Sequence, residues 1–302
     1  MAHVRLTIGN TQAQERFVRA NQEFLVEYPA LSQLLQRTFI RTLARPAVEE
    51  VQKLEQLPAS DPAVAAFEDQ FWADLAVFYL GRISADDFNE LLLLSSNGWG
   101  FGALKILRGM YEHVVTAAFI SKSPAEARAF VADSPIKKGN IWKRTVQWIP
   151  ELKDRYSVEQ IQNIEADYKE AIEKRAQTRC KKCGQPITQG AWTRVDLETM
   201  AKNTDAGLAV LYASCYLEPT CHSHATSYGI ERRLRETEEA HLYRDTSEEE
   251  ALHAVLLGHN LILKMLLVQD SHFHLGIKGE IKSRVNAFAQ IWGKDKKEEG
   301  AL

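Results

Sequence analysis

Residues 101–122, FGALKILRGMYEHVVTAAFISK, read as one long buried helix. Ile106, Leu107, Met110, Val114 and Ala118 spread over several of its faces, and a helix apolar nearly all round belongs in a core. Just ahead, the run Asn97 to Gly102 holds three glycines and predicts a chain break. Working outward, Phe17, Phe24 and Tyr28 share one face of a first helical segment. A second is expected over 31–57, restarting at Pro46. Asp61 before Pro62 is an N-cap with proline at the first helical position and opens a helix to about Gly81. Ser84, followed by Asp86 and Asp87, is read as opening the next. Ser123-Pro-Ala-Glu126 and Ser157-Val-Glu-Gln160 both have the capping-box pattern. Further helices are expected over 196–217, over 246–272 behind Ser247 and three glutamates, and over 282–292. No segment alternates with a period of two, so the fold class predicted is all-α, a multi-helix bundle. N-terminal helices over 1–60, a main bundle over 61–293 and a charged tail over 294–302 describe its organisation. A small cysteine-bearing projection interrupts the bundle at about 174–194.

At 302 residues, 45% apolar and 25% charged, the chain has the composition of an ordinary globular protein. A net charge of -3 does not indicate a nucleic-acid coat, although nucleic acid stays among the partners considered. Four cysteines are too few for a disulfide framework, and a cytoplasmic setting is expected. Leu91–Leu94 and Leu261–Val268 are read as too short to span a bilayer, so no membrane is expected. No P-loop, dinucleotide fingerprint, nucleophile elbow or HExxH is present.

Cys180-Lys-Lys-Cys183-Gly184 and Cys221-His-Ser-His224 together spell C-x2-C-x37-C-x2-H. Three thiolates and an imidazole in two tight pairs could close a tetrahedral zinc shell, so Cys180, Cys183, Cys221 and His224 are the metal candidates for a structural zinc. A variant clasps a homodimer through Cys180 and Cys183 of two chains.

Three segments carry a family resemblance: Ala103 through His113, with an Arg and, four residues on, a Glu; Tyr212 through Tyr216 leading to His222 and His224; and the apolar helix Glu248 to Gln269. They resemble a bacterial all-helical domain of unknown function, number five-six-seven-seven. The resemblance implies an all-α bundle and a polar cluster of Arg108, Glu112 and His222 or His224, without a known activity. The Cys180–Cys183 knuckle departs from that family's pattern.

Arg108 before Glu112 is the poorer order for an intrahelical pair, which points to further partners for each. Arg108 as an anion clamp would use its fork of donors. Arg108 through His113 also fits R-x4-6-H, the signature of the small helical HEPN ribonucleases of the toxin or phage-defence kind. There Arg108 would stabilise the phosphorane and His113 would move protons without metal. Arg235 to His241 fits the same spacing, so the pattern has little specificity. The catalytic candidates are thus Arg108, Glu112, His113 and His222. The basic run Lys174, Arg175, Arg179, Lys181 and Lys182 is read as a solvated helix end. His253, Asn260 and Lys264 form a polar stripe, and Trp99, Trp142, Trp148 and Trp192 are read as packing anchors. Three function classes follow: a binding or regulatory module with a pocket around Arg108, Glu112, His222 and His224; a metal-independent ribonuclease; or an oligomeric scaffold.

Overall fold

The computed structural model describes residues 10–39, 60–175, 191–236 and 247–293, isolated positions between 52 and 58, and strand residues 178–179, 186–187 and 241–243. It is all-α. The long helices are α1 (Thr11–Ala20), α2 (Gln22–Phe39), α3 (Pro62–Ser96), α4 (Gly100–Lys122), α5 (Ala125–Trp148) and α6 (Val158–Arg175). Shorter pieces follow: α7 (Leu197–Thr204), α8 (Ala206–Val210), a π-turn (Ala213–Leu217), α9 (Glu218–Ser223) and α10 (Ser227–Glu231). The chain then forms α11 (Glu248–Phe273) and α12 (Lys278–Trp292). Two small antiparallel hairpins accompany them, β1 (Thr178–Arg179) with β2 (Pro186–Ile187) and β3 (Leu234–Glu236) with β4 (His241–Tyr243).

The chain divides into two compact units. Unit one comprises Met1–Arg45, Val77–Lys122 and Leu197–Leu302; unit two comprises Pro46–Ala76 and Ser123–Asp196. In unit one α4 is central: 14 of its 23 residues are buried, which requires neighbours on more than one side. It packs along α11, and α7 and α9 cover further faces. Leu104, Leu107 and Met110 are at most 1% exposed, and each full burial is worth about 1.5–3 kcal/mol. In unit two α5 packs on α6 through a close crossing, where a Cβ on Gly139 would meet Tyr168 at 2.1 Å.

Local hydrogen bonds realise several predicted boundaries. The Ala63 amide donates to Asp61 Oδ1 at 2.8 Å, opening α3 where expected. Gly98, at φ +78°, turns the chain between α3 and α4. Ser157 and Gln160 form a reciprocal capping box, and Ser247 accepts from the Glu250 amide to cap α11.

Other boundaries differ from expectation. Ser84 starts no helix; its hydroxyl donates to Leu80 O at 2.9 Å inside an uninterrupted α3. The helix passes Gly81 because the missing side chain admits Gln269 and Phe39, and Gln269 Nε2 donates to Val77 O at 2.7 Å. The Ser123 carbonyl accepts from the Glu126 amide, and the residue at the N-cap of α5 is Pro124, which has no side-chain cap bond. The single helix expected over 196–217 is broken at Asp205, whose carboxylate caps α8. The first two segments are divided otherwise: α2 runs through Pro29 to Phe39, and Pro46 lies outside the described residues. Trp148, read as a packing anchor, is 80% exposed.

By length and composition alone α11 is able to cross a bilayer, which corrects the view that its apolar run is too short. In the structure 61% of its most apolar window is buried, as in the core helix of a globular unit.

Candidate functional site

Arg108 of α4 faces the segment 211–224. That segment is not a plain helix. The Glu218 amide donates to Ala213 O, an i→i+5 bond that closes the π-turn. Tyr212 and Tyr216 stack with centroids 5.4 Å apart. Tyr111, fully buried on α4, donates its hydroxyl to Leu208 O at 2.9 Å. Burial, then the nearby Cys215 and Tyr212, raise its hydroxyl far above an ordinary tyrosine.

Arg108 lies on this surface. Its Nη1 and Nη2 donate to the two Glu112 carboxylate oxygens at 3.1 and 3.0 Å. Nε donates to Thr220 Oγ1 at 3.0 Å, and Nη2 reaches the Tyr216 hydroxyl at 3.4 Å. The Thr220 hydroxyl donates in turn to Tyr216 O at 2.6 Å. The contact expected between Arg108 and the 212–224 segment is therefore present, made by Tyr216 and by Thr220, which the sequence reading missed. The guanidinium fork is filled by Glu112, with side chains 24% and 36% exposed.

The histidines go elsewhere. His113 Nδ1 lies 3.1 Å from Asp87 Oδ2 of α3, out of hydrogen-bond alignment. His222 is 3% exposed and packs its ring 5.0 Å from Phe101. Among the described residues neither of its ring nitrogens has a hydrogen-bond partner. Burial, then Arg233, hold it below the ordinary histidine value, with Glu218 opposing, so it is neutral at pH 7. Arg233 also stacks on the Phe101 ring, at 4.8 Å, and Arg232 pairs with the buried Glu250 at 2.9 Å. His224 is exposed at the end of α9. Arg108 has partners in Glu112, Thr220 and Tyr216, His113 approaches Asp87, and His222 packs on Phe101.

Cys180 and Cys183 lie outside the described residues. The Cys221 thiol donates back along its helix to Leu217 O at 3.5 Å. Among the described residues no group of three or more His, Cys, Asp or Glu is placed to hold a metal ion. Cys215 is buried, and desolvation pushes its thiol up to about 12. Of the basic run, Lys174 pairs with Glu170 at 2.6 Å and Arg175 pairs with Asp133. Arg235 and His241 fall on a hairpin, with Arg235 opposite Leu242 and His241 opposite Glu236, so the second R-x4-6-H match is not helical.

A histidine not among the candidate site residues, His259, is buried on α11. His259 Nδ1 accepts from Trp292 Nε1 at 3.1 Å, and its ring sits between Phe24 and Phe288 at 5.3 and 5.0 Å. No periodicity signals it, because its environment is built from three distant helices.

Comparison with known proteins found no match among curated proteins and none among solved structures. The model of a family of unknown function, DUF5677, matches residues 75–241, more than half of the chain. That span holds two of the three segments carrying the resemblance, and Glu248 to Gln269 falls beyond it. With Arg108, Glu112, Tyr216 and Thr220 all inside the matched span, the chain belongs to DUF5677, a family of unknown function.

Proposed function

We propose that this chain is a helical binding or regulatory module in which the Arg108 cluster clasps α4 to the π-turn and α9. The observation that carries this reading is the filling of the Arg108 fork by Glu112, with Nε and the remaining reach of Nη2 on Thr220 and Tyr216. A ribonuclease of the R-x4-6-H kind needs that fork free for phosphate and the histidine beside it. Here His113 approaches Asp87 instead.

The test pairs stability with activity. Arg108→Ala is expected to lower stability by about 2 kcal/mol, since it removes charge-assisted bonds and leaves Glu112 without its partner. Arg108→Lys should recover part of that loss, because an ammonium cannot reproduce the fork. Neither variant should change cleavage of a single-stranded RNA probe. Cleavage by the purified protein that disappears in both Arg108→Ala and His113→Ala, with the fold intact, would overturn the reading in favour of the enzyme.

A zinc-stabilised knuckle is supported by one further observation. Thr178 pairs with Ile187 and Arg179 with Pro186, so antiparallel backbone brackets the sequence Cys180 to Gln185. Two thiolates three residues apart within that sequence suit a single metal. Elemental analysis should find about one zinc per chain, lost in Cys183→Ser. Half a zinc per chain with a dimer in solution would favour the clasped variant; protein free of metal after preparation with zinc would remove both.

A further inference from the structure

A depression of about 210 Å³ opens on unit one where the last turn of α4 meets the α7–α8 corner and α11. It shares no residue with the Arg108 cluster and does not rest on the reading above. Two ammonium groups and one carboxylate meet there. Lys264 Nζ, on a side chain only 18% exposed, bonds Asp205 Oδ2 at 2.9 Å. Asp205 Oδ1 accepts from the Gly207 amide at 2.6 Å. Burial alone would raise the Asp205 carboxyl, but Lys264 and the Gly207 and Leu208 amides outweigh it and hold it below the ordinary value. Lys122 donates to the carbonyl of Thr204, a neutral group. Gly207 makes the arrangement possible, because a Cβ there would come 2.5 Å from Lys264 Nζ.

Two lysines and one aspartate leave a formal charge of +1 on these walls. Ser121 and Ser271 also line the depression, and Ser121 Oγ lies 3.0 Å from His272 Nδ1. Leu208, Leu267 and Val268 supply an apolar side.

We propose that this depression binds a small monocarboxylate. Its carboxylate meets Lys122 and the serine hydroxyls, and its short aliphatic part rests on Leu208, Leu267 and Val268. Charge selects the class. One negative charge neutralises the site, whereas a phosphate dianion overshoots it beside the ionised Asp205. Size sets the length: at about 30 Å³ for each water-sized group the space takes roughly seven non-hydrogen atoms.

The experiment titrates the full chain with isovalerate, followed by ligand-observed saturation-transfer NMR, with inorganic phosphate as the competing probe. Saturable isovalerate binding is expected, weakened at least about tenfold by Lys122→Gln, whose side chain is at the rim. Ser271→Trp, at the exposed mouth, should abolish it with the helical circular dichroism unchanged. Absence of saturation by about 10 mM isovalerate would overturn the proposal, as would unchanged affinity in Lys122→Gln. Displacement of isovalerate by a lower concentration of phosphate would overturn the monocarboxylate class.

Discussion

Gly100→Ala is expected to destabilise unit one by about 3 kcal/mol, the upper end of what overpacking usually costs. A Cβ at Gly100 would come 2.3 Å from Ser247 O and 2.4 Å from the Ala251 amide nitrogen. Both are main-chain atoms, so no rotamer change relieves the clash. The two helix starts are also tied together, since the Ser247 amide donates to Gly98 O at 2.9 Å and Trp99 bridges Ser247. Either α4 and α11 part at their N-termini or both strain. Gly102→Ala is the control: its nearest contacts are the flexible Leu94 side chain at 3.6 and 3.9 Å. That change should be neutral or stabilise by about 0.5–1 kcal/mol through helix propensity. Urea denaturation of the two variants decides the matter, and equal midpoints would show that α11 does not press on Gly100.

The second large effect is acid lability centred on His259. Burial pushes this ring down to about 4, from 6.5. Between those values the unfolded chain carries a proton at this position and the folded chain does not. Stability is therefore complete above about pH 6.5 and declines as pH falls toward 4, by about 3 kcal/mol from this residue. His259→Phe should flatten that decline, because a phenyl ring suits the space between Phe24 and Phe288 and takes no proton. It forgoes the Trp292 bond, worth about 1 kcal/mol at pH 7. Thermal melts at pH 7 and pH 4.5 test the sign: wild type should lose more than the variant. His222, lowered as well, adds a loss in the same direction below pH 6.5. Its contribution survives in His259→Phe.

Which parts of this structure were legible beforehand follows from the range of the interactions involved. Asp61, Ser157 and Ser247 announce helix starts because each bonds an amide two or three residues away. Ser84 carries a similar signal and fails, because α3 is held continuous by Gln269 from the far side of the sequence. Asp205 breaks a predicted helix for the sake of α8 and of Lys264, a partner 59 residues away. The family resemblance, not spacing, joins Arg108 to the 212–224 segment, but through His222 or His224 where the structure uses Tyr216 and Thr220. Thr220 and Asp87 were missed because a hydroxyl and a carboxylate on helices carry no pattern of their own. Their roles exist only once α9 and α3 are laid against α4. His259 was invisible for the same reason.

The packing of α2 against α12 has a consequence for synthesis. Arg284 pairs with Glu27 across 257 residues, Arg37 with Glu280, and Phe24 lies 6.1 Å from Trp292. On the ribosome, α2 emerges early and α12 late. At about 5–20 residues per second the apolar stripe of Phe24, Leu31 and Leu34 waits roughly 10–50 s for its cover. During that interval the nascent chain presents an uncovered helix face, open to a chaperone or to another nascent chain before its own partner is made.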